Sequence, residues 1–371
     1  DTCQNVTVKG LRFYSAAASG VNQAGVKAVL CGRLRIRNNK MLSLTYGVHF
    51  ASSATGLSTG AYPIPSYISD NDITACGAGV FCASTAEYVA VTGNNITNCT
   101  LYGIANDAGN TLIANNQISS NDIGIQVDGS LATNGDHGAI VGNTINHNAK
   151  ANLKIINLDY SMLITGNNIW AAISSNYGIA PYDTSFGVYF SNVKNVNFTG
   201  NVLGNNRVNV GVDGINVTLN ISNNTFIADN ARTIYNIREY TLLNMTGGNR
   251  ARNNTFEGTL LAGANNNDPD QMRKPAFENG WSDFGGVFGT ARYYRDATNK
   301  VTLSGTIKNG TINLAAFTLP SGFKSSATLI FPIISNDLFG KLEIAADGTV
   351  TPKIGSNAYV SLDGISFYAD A

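Results

Sequence analysis

Over its first 256 residues the chain repeats one motif, an asparagine followed by any residue and then a large apolar one. The copies are Asn71-Asp72-Ile73, Asn94-Asn95-Ile96, Asn116-Gln117-Ile118, Asn143-Thr144-Ile145, Asn167-Asn168-Ile169, Asn201-Val202-Leu203, Asn224-Thr225-Phe226 and Asn254-Thr255-Phe256. Weaker copies stand at Asn39-Lys40-Met41 and Gly10-Leu11-Arg12-Phe13, and the apolar members of the eight full copies follow one another at intervals of 22 to 34 residues. A second mark, a glycine before a β-branched residue, recurs in Tyr46-Gly47-Val48, Tyr102-Gly103-Ile104, Ile123-Gly124-Ile125, Tyr177-Gly178-Ile179 and Phe186-Gly187-Val188, each followed by alternation. Short strands with inward apolar and outward polar positions, joined by amide-rich turns at a fixed period, are the sequence form of a solenoid. One coil cannot bury its own apolar edge. Coils stacked about 4.8 Å apart can, and identical turns then form amide ladders along the axis. Asparagine suits these turns because it tolerates the left-handed backbone of a tight corner. The pattern predicts a parallel β-helix; the Leu-x-x-Leu-x-Leu frame of a leucine-rich horseshoe is absent, and a propeller needs longer blades.

The repeat stops after Phe256. Asn265 to Pro275 reads as a linker, and from Ala276 to the end only six of 96 residues are asparagine. Strands are expected at Ala291 to Asp296, Val301 to Ile307, Ser326 to Ser335, Gly340 to Ala345, Gly348 to Pro352 and Ala358 to Phe367, a spacing that predicts an antiparallel β-sandwich. The expected organisation is a β-helix over 1–264, a linker over 265–275 and a sandwich over 276–371.

Composition narrows the function classes. Lys and Arg number 24, as do Asp and Glu, and charged residues make up 13% of the chain, about half the usual share. The polar surface is built instead from 48 asparagines among 39 glycines. A nucleic-acid groove and a polybasic membrane surface are disfavoured, and no window approaches the roughly 18 apolar residues of a membrane span. The chain starts without Met in strand-like sequence, so a mature form or an excised fragment is expected, with an N-terminal anchoring part removed. Five cysteines (Cys3, Cys31, Cys76, Cys82, Cys99) show no metal spacing with the three histidines and are expected to be buried thiols. No cofactor or metal is implied.

The Asn-rich coils opening at Asn5-Val6-Thr7-Val8-Lys9-Gly10-Leu11-Arg12-Phe13 resemble pectate-lyase-like right-handed β-helices. The tail beginning Pro275-Ala276-Phe277-Glu278-Asn279-Gly280-Trp281, with Ala291-Arg292-Tyr293-Tyr294-Arg295-Asp296, Phe317-Thr318-Leu319-Pro320-Ser321-Gly322-Phe323 and Leu362-Asp363-Gly364-Ile365-Ser366-Phe367, is similar to the jelly-roll-like terminal sandwich of bacteriophage tailspikes and receptor-binding appendages. The resemblance implies a homotrimeric phage-tail component, assembled in the host cytoplasm, attached to other virion tail proteins through a missing N-terminal part and acting at the bacterial surface. It also implies binding of a capsule, O-antigen or wall glycan during host adsorption, with depolymerisation by glycosidase-type hydrolysis on the helix flank. A non-catalytic adhesin or structural fibre, and a polysaccharide lyase, are the alternatives. An outer surface so poor in charge independently favours burial against other copies.

Hydrolysis of a glycosidic bond needs an acid and a base or nucleophile, with carboxyls about 5 Å apart for retention and about 6.5–9.5 Å for inversion. Counting three residues on from Ile104, Ile125, Ile156 and Val210 aligns Asp107, Asp128, Asp159 and Asp213; the first three are the candidate catalytic column. Stacked like charges raise at least one pKa, as an acid catalyst requires, although Asp-Gly is also ordinary turn chemistry. Asp136 and His137, in a loop beside this column, and Trp170, Tyr177, Tyr182 and Asp183, in the 34-residue interval, are candidate substrate-binding residues, since aromatic faces stack on sugar rings. Lyase chemistry would use His49 as base, with Arg33 or Arg35.

Overall fold

The computed structural model describes residues 3–15, 23–53, 65–131, 137–172, 185–214, 218–228, 233, 235–239, 250–252, 254–258, 273–295, 300–320 and 322–369. They form two compact units, Asp1–Asn267 and Asp268–Ala371.

The first unit is a parallel β-helix of three sheets with ten, ten and nine strands. A typical coil runs through Tyr102–Asn106 on the nine-stranded sheet, Thr111–Ala114 on the second and Gln117–Ser119 on the third. The repeated asparagine is explained by the corner between the second and third sheets, which is two residues long. Its first residue takes a left-handed backbone and is Asn38, Asp70, Gly93, Asn115, Gly142, Gly166, Gly200 or Asn223. The second is the motif asparagine itself, which points inward. In the series Asn39, Asn71, Asn94, Asn116, Asn143, Asn167, Asn201, Asn224 and Asn254, each Nδ2 donates to the Oδ1 of the next at 2.9–3.1 Å. Each of the first eight also donates its backbone N–H to that same Oδ1. The corner thus divides the work the sequence reading gave to one residue. The left-handed position needs a small or amide side chain, while the invariant asparagine satisfies buried backbone groups that a dry core would otherwise orphan.

The residue two places after the ladder asparagine fills the interior: Ile73, Ile96, Ile118, Ile145, Ile169, Leu203 and Phe226 form one fully buried column. Their branches explain the second mark. A Cβ added at Gly79 would sit 2.5 Å from Ile96 Cγ2 and 2.6 Å from the Gly103 oxygen. Glycine stands there because the neighbouring coil already occupies the space.

The second unit holds a seven-stranded and a three-stranded antiparallel sheet. Residues from both, including Val301, Leu303, Leu342 and Val350, share one core with Trp281 and Phe317. Strands Leu329–Ser335 and Leu338–Ile344 pair through Asn336 and Asp337, both at positive φ as a two-residue type I′ hairpin requires. The linker expected over 265–275 lies outside the described residues except for 273–275.

Candidate active site

The nine-stranded sheet has the longest strands, and its register stacks outward side chains into columns. One column runs Tyr46, Ala78, Tyr102, Ile123. The next runs Lys27, His49, Phe81, Ala105, Gln126, Lys154, Tyr189. Small residues in mid-column make a hollow. Gly77, Ala78 and Ala105 floor a cleft of about 230 Å³ walled by Tyr46, Phe81, Leu101 and Tyr102 and closed by Asp107 and Gln126. Tyr46, His49 and Phe81 pack as a ring cluster with centroids 4.9–5.6 Å apart. Burial first, and then the Lys27 charge, hold His49 below its ordinary pKa.

A third column lies where the strands leave the sheet. Since Asn106 is level with Val127, Asp107 is level with Asp128 on the next coil, about 4.8 Å away. The two carboxyls have different surroundings. Burial, and secondarily the Asp128 charge, push Asp107 up to about 6. Asp128 Oδ1 accepts hydrogen bonds from the Ser130 N–H at 3.0 Å and from Asn157 Nδ2 at 3.1 Å. A carboxyl raised by burial, beside a second one whose oxygen accepts two hydrogen bonds, is an arrangement that can supply acid and nucleophile roles.

The expected third member falls out of the column. Asp128 is level with Ile156, and that column continues through Ser191 to Asp213. Asp159 lies three residues past Ile156 and forms an ion pair with Lys194 at 2.6 Å. The reason is local: on that coil Asn152 stands level with Gly124, so the glycine mark is missing, and Leu153, not Ile156, is the equivalent of Ile125. Asp213 is level with the pair but two coils intervene, and it accepts a hydrogen bond from Tyr189 Oη at 2.9 Å. That bond, after burial, pushes the Tyr189 phenol up to about 12.

Of the expected substrate-binding residues, Tyr177, Tyr182, Asp183 and Asp136 lie outside the described residues. Trp170 ends a strand of the third sheet, where its ring covers Gly204 of the next coil. It is therefore not on the cleft's sheet. His137 packs beside Tyr160 with ring centroids 6.1 Å apart. Arg35 is on the second sheet, so the structure does not bring it beside His49. Sequence reasoning missed Tyr46, Phe81, Tyr102 and Gln126. Their signal was present: they stand one residue before or two after the marked glycine, the outward positions of the alternation.

A family model described as "NosD: Periplasmic copper-binding protein (NosD)" matches residues 14–171, less than half of the chain. The donors here do not fit copper. Among the described residues no group of three or more His, Cys, Asp or Glu side chains is placed to hold a metal ion. Cys76, Cys82 and Cys99 are buried unpaired thiols, and burial pushes Cys82 and Cys99 up to about 12, far from the thiolate a metal needs. No curated protein matches the chain. Among solved structures, an alginate lyase from Paenibacillus sp. is 14% identical with a TM-score of 0.41, the match covering 71% of this chain and 90% of that one. The Dettilon tailspike protein is 14% identical with a TM-score of 0.37, covering 97% of this chain and 85% of that one. The tailspike protein of Acinetobacter baumannii phage AM24 is 12% identical with a TM-score of 0.41, covering 100% of this chain and 68% of that one.

Proposed function

We propose that this protein is a phage tailspike-type enzyme that binds a bacterial surface polysaccharide along its nine-stranded sheet and hydrolyses it at Asp107 and Asp128. The observation that carries this reading is the aromatic-walled cleft ending at a carboxyl raised to about 6. Rings of Tyr46, Phe81 and Tyr102 offer apolar faces to sugar rings, and Gln126 adds an amide. Asp107 then protonates the leaving oxygen as the glycosidic bond breaks, Asp128 attacks the anomeric carbon, and water afterwards releases the sugar from Asp128. Main-chain positions one coil apart are spaced by about 4.8 Å, which is compatible with the roughly 5–5.5 Å carboxyl separation of retaining enzymes. Asp159, paired with Lys194, has no part in this chemistry.

Three copies side by side complete the proposed particle. An apolar outward stripe on the second sheet supports it, running Tyr67, Ala90, Leu112, Ala139, Leu163 over five successive coils. Tyr67, Leu112 and Leu163 each remain 41–43% exposed on the single chain. The tail's resemblance to tailspike sandwiches supports a place on the virion, with the second unit contacting the other copies or the host.

The test is incubation with a panel of purified capsular and O-antigen polysaccharides, following chain length and new reducing ends. Hydrolysis leaves reducing ends without the conjugated-ene absorbance that β-elimination produces. Asp107→Asn and Asp128→Asn each abolish shortening while binding persists. Unchanged turnover in both variants rejects the site, ene absorbance assigns a lyase, and binding with no shortening by the wild type assigns an adhesin.

A further inference from the structure

The zero net charge hides an axial segregation. Residues 1–69 contain seven Lys and Arg against the single acid Asp1, whereas residues 70–149 contain seven Asp and Glu and no Lys or Arg. The basic residues are exposed, and the register stacks four of them in two pairs. At the corner formed by Asn38 and Asn39, Lys9 is level with Arg37 on the second sheet and Arg12 is level with Lys40 on the third. Lys40 is engaged by Asp72 at 3.1 Å. Among the described residues no ion pair engages Lys9, Arg12, Arg35 or Arg37. Like charges on neighbouring strands, about 4.8 Å apart, oppose the stacking of these coils. A bound polyanion reverses the sign of that contribution.

We propose that the first coils form an anion-binding site for acidic polysaccharide, built by Lys9, Arg12, Arg37 and Lys40 and distinct from the cleft. The site sits at the corner of the second and third sheets, while the cleft is on the nine-stranded sheet. Two features favour a polyuronate over other polyanions. The cations form two pairs along the axis, Lys9 with Arg37 and Arg12 with Lys40, each at the coil spacing, which is close to the rise per sugar of an extended uronate chain carrying one carboxylate per ring. The exposed corner residue Asn38 carries an amide of the kind that hydrogen-bonds sugar hydroxyls.

The test uses labelled polygalacturonate oligomers, the same oligomers after reduction of their carboxyls to neutral alcohols, and oligothymidylate of equal charge, with binding read by anisotropy at rising salt. The carboxylated sugar binds most tightly at low salt and weakens as salt rises, and the reduced sugar does not bind. Arg12→Gln with Arg37→Gln weakens binding roughly tenfold, two exposed charge contacts acting together. Arg12→Lys with Arg37→Lys restores it, which separates charge loss from misfolding. The hydrolase reading is tested by new reducing ends and this one by binding of oligomers, so failure of the one and failure of the other are separate results. Equal binding of the reduced sugar, tighter binding of oligothymidylate, or indifference to the double glutamine substitution overturns the proposal.

Discussion

Asn116→Ala isolates what the asparagine ladder contributes. Asn116 is 1% exposed, and its Oδ1 receives the backbone N–H of Asn94 at 2.9 Å and Asn94 Nδ2 at 3.0 Å. Its Nδ2 donates to the Val91 oxygen and to Asn143 Oδ1, both at 2.9 Å. Alanine removes four bonds at once. Asn94 Nδ2 keeps the oxygens of Ile68 and Thr92, so the severe loss falls on the Asn94 N–H, left in a dry interior. An orphaned buried donor costs about 1–3 kcal/mol, and the lost bonds and the vacated amide volume bring the total to roughly 3–5 kcal/mol. Gln117→Ala, one residue on and exposed, shifts stability by less than about 0.5 kcal/mol. Urea denaturation at a fixed chain concentration, read by far-ultraviolet circular dichroism, compares the two. Equal midpoints for both variants would refute the ladder as a stabilising element.

Three further outcomes are expected. Because Asp107 keeps its proton up to about pH 6 in the folded chain and loses it near the ordinary 3.8 when unfolded, its neutral form contributes stability that is complete below the unfolded value and is lost as pH rises through 6. Hydrolysis that uses that proton falls about tenfold per pH unit above 6, a slope that a pH profile of kcat/KM would show and that an activity rising with pH would contradict. Gly79→Ala forces a methyl against the Gly103 oxygen and Ile96, so we expect a loss of about 1–3 kcal/mol in thermal or urea unfolding, with wild-type stability as the refuting result. Leu112→Glu with Leu163→Glu charges the outward stripe, so light scattering should change from three chain masses to one while the strand signal is retained; an unchanged mass rejects this face as the interface.

The helix was legible because its chemistry is repeated at every coil: the ladder needs one asparagine per turn, and a buried Ile or Phe two residues later. The site was only partly legible, for two physical reasons. Asn152, Asn209 and Asn236 replace the marked glycine on later coils, since their amides belong to a second inward series running from Asn148 through Asn152, Asn206 and Asn209 to Asn236. The alignment therefore slipped by three residues at Ile156 and drew Asp159 into the wrong column. The cleft, for its part, depends on Tyr46, Phe81 and Tyr102 from three separate coils and on the smallness of Ala78 and Ala105 between them, a relief that becomes visible only once the outward positions are placed in register. Asp107 and Asp128 were aligned with each other because their coils both retain the glycine.

The most direct measurement of the central claim is a crystal structure of the Asp107→Asn variant with an oligosaccharide from the polysaccharide it binds. The account predicts sugar rings against Tyr46 and Tyr102 and a glycosidic oxygen within about 3 Å of the residue 107 side chain, with the anomeric carbon facing Asp128. An oligosaccharide seated wholly on another face, with the cleft filled only by water, would contradict it.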